Sequence, residues 1–505
     1  MRSYTISLSL AFVLLICSNA SAQSPDTSEK IQLVERGLIK VTQTEGETPA
    51  TIQERMAHYH VKGVSIAVIH NYKMEWAKGY GWADESLRIP VTVQTLFQAA
   101  SISKSLNSVG VLKLVQDKKI DLYADINNYL HLYNGKQLKS MGSYMLMNGD
   151  QLSWRFPYDS LSNNKKISIA NLLSHTGGLT VHGFGGYELG KDLPGVAQIL
   201  DGKPPANSAP VRSMYEPGLK YEYSGGGITI SQLIVINTTH QPYDKYMYEN
   251  VLEPLGMTGS TYALFPSGDI KPLLAAAYYA DGSVVPGKHH IYPEQAAAGL
   301  WTNPTDLSKY IIETQLAYEG RSHKVLNQQT TKLRLTPYMN KDAALGVFID
   351  NLDSTQYFEH GGSNEGFRSQ YYGSLEDGNG LVIMVNSDNG DIIPEIVNSI
   401  AKVYGFKSLY HSRIIKAFAI TDTVLQSYTG KYELKPGFII EITRKGNQLY
   451  GQATGQQRFS LSPETQGKFA VSVADIEIEF IKDDTGKVVK AVIYQNGPHE
   501  AKKIE

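Results

Sequence analysis

The strongest local feature of the chain is Ser101-Ile102-Ser103-Lys104, which opens a helical repeat of apolar residues, Ile102, Leu106, Val109, Leu112 and Val115. A serine hydroxyl is a weak nucleophile until a base takes its proton, and a lysine three residues on shares its helical face. The start of a helix adds a positive dipole end and unbonded amides, which favour an oxyanion beside Ser101. These residues could therefore transfer an acyl group from an amide or ester to a serine oxygen. Ser162-Asn163-Asn164-Lys165 has the same spelling but begins no apolar repeat, and reads as a chance match. Gly-x-Ser-x-Gly is absent, which disfavours the strand–turn–helix route to serine catalysis. His58-Tyr59-His60 and His289-His290 lack a third ligand at metal spacing, and His-Glu-x-x-His does not occur. No metal and no cofactor is expected.

The Ser101 helix is expected to end at Lys118-Lys119, cations suited to its C-terminal end. Ahead of it, Ile31, Val34, Leu38 and Val41 are spaced by three or four and predict helix over about 31–59. Strands are predicted over 64–69 and 72–79, turning at His70-Asn71. The middle of the chain, 133–292, is rich in Gly, Pro, Asn and Tyr, with shorter helices over 228–237 and 243–252. Strands return over 346–350, 358–360, 368–373 and 381–386, and a helix follows over 393–404. Strands at both ends with a mainly helical insertion between them predict an α+β domain, an antiparallel sheet flanked by helices. From about Leu425 the texture changes to short alternating runs, 428–434, 438–444, 448–453, 468–473, 476–482 and 488–495. They predict a small all-β barrel or sandwich. The expected domains are thus 23–408 and 425–505, joined by a linker over 409–424.

Of 505 residues, 42% are apolar, 47 are Lys or Arg and 49 are Asp or Glu, giving a net charge of −2. That is globular composition, and it carries no electrostatic footprint for nucleic acid. The single cysteine, Cys17, lies in a segment with Arg2, an apolar run over 6–16 and the small-residue pattern Ala20-Ser21-Ala22. This reads as a cleavable signal peptide over 1–22. The run is too short to span a bilayer, which needs ~20 residues, so no membrane span is expected. Lipoprotein processing at Cys17 wants a small residue before it, and Ile16 is bulky. A mature chain without thiols excludes disulfides, thiol catalysis and Cys-ligated metal. A periplasmic or secreted protein is expected.

Further motifs follow in order: Leu172-Leu173-Ser174-His175-Thr176-Gly177-Gly178-Leu179, Pro217-Gly218 ahead of Tyr223-Ser224-Gly225, Ala298-Gly299-Leu300, and His360-Gly361-Gly362. With Ser101 and Lys104, this ordered set over about 45–405 resembles the serine β-lactamase and penicillin-binding-protein superfamily. The resemblance is to its class C-like branch of DD-peptidases, esterases and D-amino-acid-specific peptidases. The region from 425 resembles the lipocalin-like β domains fused behind such hydrolases. The resemblance implies that Ser101 is acylated, that Lys104 is its proton partner and that the Tyr223 phenol shuttles protons, its pKa depressed by the neighbouring ammonium. It implies an oxyanion hole from the amides of Ser101 and Ser363, with His360 in the place of the usual strand lysine. Gly361 and Gly362 would let a substrate backbone approach closely.

Two departures matter. Gly225 stands where an asparagine amide usually orients a substrate carbonyl, and His360 replaces a permanent cation that helps to hold a substrate carboxylate. Arg368 is the candidate to supply that charge instead. Both departures lean away from an efficient β-lactamase. If His360 must be neutral to act, activity should rise through its ordinary pKa of ~6.5. Ser387-Asp388-Asn389 spells a related motif but follows His360 in the chain, and reads as a strand end entering a turn. The substrate implied is a D-residue peptide, peptidoglycan stems included, or a small ester. The alternative is a cell-wall-binding protein that kept the fold and lost turnover.

Overall fold

The computed structural model describes residues 26–130 and 154–505, apart from 354, 417, 436, 455–457, 472–475 and 496. The expected signal peptide, and the end of the run over 468–473, lie outside the described residues. After helix α1 (Thr27–Glu35), strand β1 (Thr42–Thr44) and helix α2 (Ile52–His58), the main sheet begins with β2 (Gly63–His70), β3 (Lys73–Asp84) and β4 (Ile89–Pro90). Strand β5 (Phe97–Gln98) leads into α3 (Ser103–Gln116). The insertion that follows includes α4 (Ile169–Leu173), β6 (Tyr187–Glu188), α5 (Val196–Asp201), α6 (Gly225–Thr239), β7 (His290–Ile291) and β8 (Trp301–Thr302). The sheet resumes with β9 (Phe348–Leu352), β10 (Thr355–Asn364), β11 (Phe367–Ser374) and β12 (Gly380–Val385).

These seven strands lie in the order β4-β3-β2-β12-β11-β10-β9, all antiparallel. The early strand β2 therefore pairs with the late strand β12, Val68 opposite Leu381. Both are apolar almost throughout and buried, as strands covered on both faces must be. Helix Ile392–Tyr404 covers one face with Ile392, Ile396 and Ile400 against Val64, Ile66 and Val68. Leu307 and Ile311 of helix Pro304–Tyr318 join Ile69, Val382 and Met384 on the other. Full burial of each such side chain contributes about 1.5–3 kcal/mol.

The helix expected over 31–59 is two helices with a strand between them. Thr42, Gln43 and Thr44 extend to pair with β13 (Arg413–Ile415), and the Thr51–Glu54 capping box restarts the helix as α2. The β2–β3 turn falls one residue later than expected, with Asn71 and Tyr72 both at positive φ, because the Tyr72 amide is held by Gly378 O at 2.8 Å. Helix α3 ends at Gln116, with Lys113 as the cation of its last turn.

The region from 430 is a closed eight-stranded barrel: β14 (Gly430–Lys435), β15 (Phe438–Lys445), β16 (Gln448–Ala453), β17 (Arg458–Pro463), β18 (Lys468–Val471), β19 (Glu477–Lys482), β20 (Val488–Tyr494) and β21 (Pro498–Lys503). Strands β17 and β21 were not legible in the sequence; β21 buries only Ala501, so its composition is that of a loop. Tyr428, Tyr432, Phe469 and Phe480 pack together in the barrel core. The stretch 409–424 holds β13, and Arg413 forms ion pairs with Glu464 at 2.6 Å and with Glu477 of the barrel. Thr42 donates to Val471 O at 3.1 Å, so the β1–β13 pair braces the barrel against the larger domain.

Candidate active site

The turn that carries Ser101 is held by tertiary contacts more than by its own helix. Strand β5 pairs with β8, and the Ala99 amide donates to Leu300 O at 2.8 Å. Ala100 then takes φ +49°, a strained conformation for a residue with a Cβ, of order 1–3 kcal/mol. Ser101 lies in a 3-10 turn, Ala100–Ile102, and α3 starts two residues later than the sequence suggests. Ser103 stitches the turn in place: its hydroxyl donates to Ala100 O at 2.5 Å and accepts from the Leu300 amide at 3.0 Å. Sequence reasoning missed this positioning role because Leu300 is distant in the chain.

Gly362 serves the same turn. A Cβ there would stand 2.2 Å from Ala99 O and 2.3 Å from Ser369 Oγ, so the bare strand lets the Ser101 turn press against it. This corrects the expectation that both strand glycines make room for substrate, since Gly362 is already covered by protein. Gly362→Ala should cost about 1–3 kcal/mol of stability from overpacking and lower kcat by roughly tenfold or more through a displaced Ser101. At Gly361 an added Cβ meets the flexible end of Gln370 at 2.7 Å, so Gly361→Ala should cost clearly less. Urea unfolding and steady-state turnover of the two variants check the contrast; equal effects would contradict it.

Lys104 is buried, and its amine donates to Ser101 Oγ at 2.9 Å and to Ala297 O at 2.8 Å. Burial disfavours its charge and brings its pKa down to about 7. The Tyr223 phenol faces Ser101 closely enough for the hydroxyl to favour its ionised form, and the Lys104 amine lies 5.1 Å from its ring centroid. The expected depression of the phenol is overturned: burial raises it well above its ordinary value, more than the Ser101 contact lowers it. Tyr223 therefore stays protonated at neutral pH, and Lys104 is the group poised to accept a proton.

His175, from the Ser-His-Thr-Gly-Gly motif, stacks on Tyr223 with ring centroids 4.3 Å apart. Its Nδ1 accepts the Ser224 amide at 3.1 Å, and burial with the nearby Lys104 charge keeps the ring neutral. His360 is buried mid-strand rather than at a strand end. Its Nδ1 lies 2.6 Å from Gly361 O, a carbonyl that only accepts, so Nδ1 carries the hydrogen and Nε2 is a bare acceptor. Burial, aided by Lys104, pushes its pKa down to about 3. The expected activity rise near pH 6.5 thus cannot come from His360. Phe348, which sequence reasoning did not single out, packs between these rings, 5.2 Å from His360 and 6.4 Å from Tyr223.

The β10–β11 register sets the other wall. Asn364 and Phe367 flank the two-residue turn Glu365-Gly366, so even-numbered residues of β10 bond to β11. The amides of Gly361 and Ser363 then point to the opposite edge, which β9 leaves uncovered beyond Glu359. Arg368 sits opposite Ser363 in the ladder but supplies no cation to the cleft. Its guanidinium pairs with Asp388 at 3.0 Å and donates to Asn364 O and Phe367 O at 2.6 and 2.8 Å. The Ser387-Asp388-Asn389 turn is thus the anchor of Arg368. Gly225 opens α6, and its amide donates to His182 O at 3.0 Å.

Residues 49–394 match the Beta-lactamase family model, and residues 417–503 match a domain of unknown function, DUF3471. The chain is 19% identical over 468 residues to penicillin-binding protein 4* of Bacillus subtilis, covering 89% of this chain and 96% of that one. The fold is similar to that of an octameric penicillin-binding protein homologue from Pyrococcus abyssi, with TM-score 0.54, 20% identity and coverage of 89% and 98%. It is also similar to the D-amino acid amidase of Ochrobactrum anthropi SV3, with TM-score 0.53, 20% identity and coverage of 70% and 95%. A match over most of its length, on a site where a buried amine meets a serine hydroxyl, places this chain in the β-lactamase family of serine hydrolases.

Proposed function

We propose that the protein hydrolyses an uncharged amide or small ester, such as a D-amino-acid amide or D-residue peptide, through an acyl-enzyme on Ser101. The observation that carries this reading is the buried Lys104 amine 2.9 Å from Ser101 Oγ. Neutral Lys104 takes the Ser101 proton as Oγ bonds to the substrate carbonyl carbon. The amides of Ser101 and Ser363 receive the oxyanion. The proton passes from Lys104 through Tyr223 to the leaving group as the old C–N or C–O bond breaks. Water then attacks the acyl-enzyme by the same route in reverse, which restores the Ser101 hydroxyl and releases the acid. With His360 neutral and Arg368 paired with Asp388, neither of the two expected partners for a substrate carboxylate brings a charge to it, which supports a substrate without a carboxylate there. The D-amino acid amidase neighbour supports the same class.

Intact mass after incubation with a fluorophosphonate and, separately, with a penicillin tests the reading. The expected result is one stoichiometric fluorophosphonate adduct on Ser101 and no lasting penicillin adduct. Adducts with both would favour a penicillin-binding DD-peptidase; none with either, on folded protein, would favour a binding protein without turnover. We further propose export, on the apolar run over 6–16 and Ala20-Ser21-Ala22. The same spectrum of protein from the periplasm should then show a chain beginning at Gln23.

A further inference from the structure

The position vacated by the missing asparagine is not empty. A Cβ built on Gly225 would stand 3.0 Å from Phe184 Cε2, 3.5 Å from Phe184 Cδ2 and 3.0 Å from His182 O. The ring of Phe184 therefore lies where a side chain at position 225 would begin. The segment that carries it is fixed on both sides. The Gly225 and Gly226 amides donate to His182 O and Val181 O, each at 3.0 Å, which also satisfies free amides at the start of α6. His182 meets Glu222, the neighbour of Tyr223, at 3.2 Å. Beyond Phe184, Gly185 O accepts from the His290 ring at 2.8 Å, and β6 pairs with β7. Phe184 is half-buried, held between two anchored residues beside the Tyr223-Ser224-Gly225 turn.

We propose that Phe184 is a specificity-determining residue that replaces the amide wall of this site with an aromatic one, so that the enzyme selects an apolar side chain on the acyl group. Gly225 is then a consequence of Phe184: any larger residue would meet the ring and the His182 carbonyl. A polar amide at 225 would orient a substrate carbonyl by hydrogen bonds, whereas the ring offers only contact area. The neighbouring wall has the same character, because Tyr221 and Phe348 are packed edge to face at 6.2 Å. This inference rests on the hydrolase reading above, and deepens it by naming the acyl class.

The test compares p-nitrophenyl phenylacetate with p-nitrophenyl acetate, which share a leaving group and differ in the acyl side chain. The wild type should prefer the phenylacetate in kcat/KM. Phe184→Ala should lower that preference roughly tenfold or more, the range a pocket contact supplies, chiefly through KM and with acetate turnover retained. Phe184→Leu should restore part of it, which separates lost contact from a disturbed fold. Active variants whose preference stays within twofold of the wild type would overturn the role of Phe184 and leave the hydrolase reading standing. A wild type that neither turns over these esters nor takes up a fluorophosphonate would overturn both.

Discussion

Ser101→Ala should reduce turnover of any ester or amide substrate by roughly 10⁴–10⁶-fold, the scale on which removal of a serine nucleophile acts when its partners remain. The loss should appear in kcat, with KM changed little, and uptake of a fluorophosphonate should vanish. Stability should stay within about 1 kcal/mol of the wild type, as expected when a single hydrogen bond is removed. Lys104 keeps its bond to Ala297 O, and the Ala99–Leu300 and Ser103–Leu300 contacts that shape the turn do not involve the Ser101 hydroxyl. Steady-state kinetics with thermal unfolding of the same preparation decides the matter. A folded Ser101→Ala enzyme that retains full turnover would place the nucleophile elsewhere.

Lys104→Met carries the second large effect. With the wild-type amine near 7, about a tenth of the enzyme holds a neutral Lys104 one unit below that value and about nine tenths one unit above it. The base is the neutral form, so kcat/KM should rise as pH passes upward through about 7 and then level off. Lys104→Met should lower kcat/KM by about 10²–10⁴-fold, the usual contribution of a general base, and its residual activity should lose that rising limb. His360→Gln should leave the limb in place, because His360 is already neutral throughout this range. A limb that persists in Lys104→Met and disappears in His360→Gln would reverse the assignment.

Much of this site was legible because its parts are short motifs in a fixed order. Ser101 and Lys104 lie within one turn, and Tyr223 and His360 announce themselves by the glycines and serines around them. The strands β2 and β12 and the helix Ile392–Tyr404 were legible from runs of apolar residues, since their burial imposes the pattern; β11 was read with them, and of the more polar β10 only 358–360. What sequence reasoning missed is set by packing between distant segments. Ser103 gains its role from Leu300, Gly362 from Ala99, the Arg368 cation is taken up in an ion pair with Asp388, and Phe184 and Phe348 are ordinary aromatics until the chain folds. The direction of the Tyr223 shift was misjudged for the same reason. A neighbouring ammonium would depress the phenol, but burial disfavours the charged form of both groups and raises the phenol more than its contacts lower it.

The seam between β2 and β12 has a consequence for how the molecule comes into being. Val68 finds its partner at Leu381, across nearly the whole length of the larger domain. Contacts of such sequence separation must overcome a large loop-closure entropy before they stabilise anything, and they slow folding. As the chain emerges, β2 and β3 can form their hairpin early, yet the inner edge of β2 stays unpaired until β12 has been made. That edge is eight residues long and almost wholly apolar, the kind of surface that captures other strands. The enzyme is thus most exposed to misassembly during its own synthesis, and the last strand of the sheet is the one that ends the hazard.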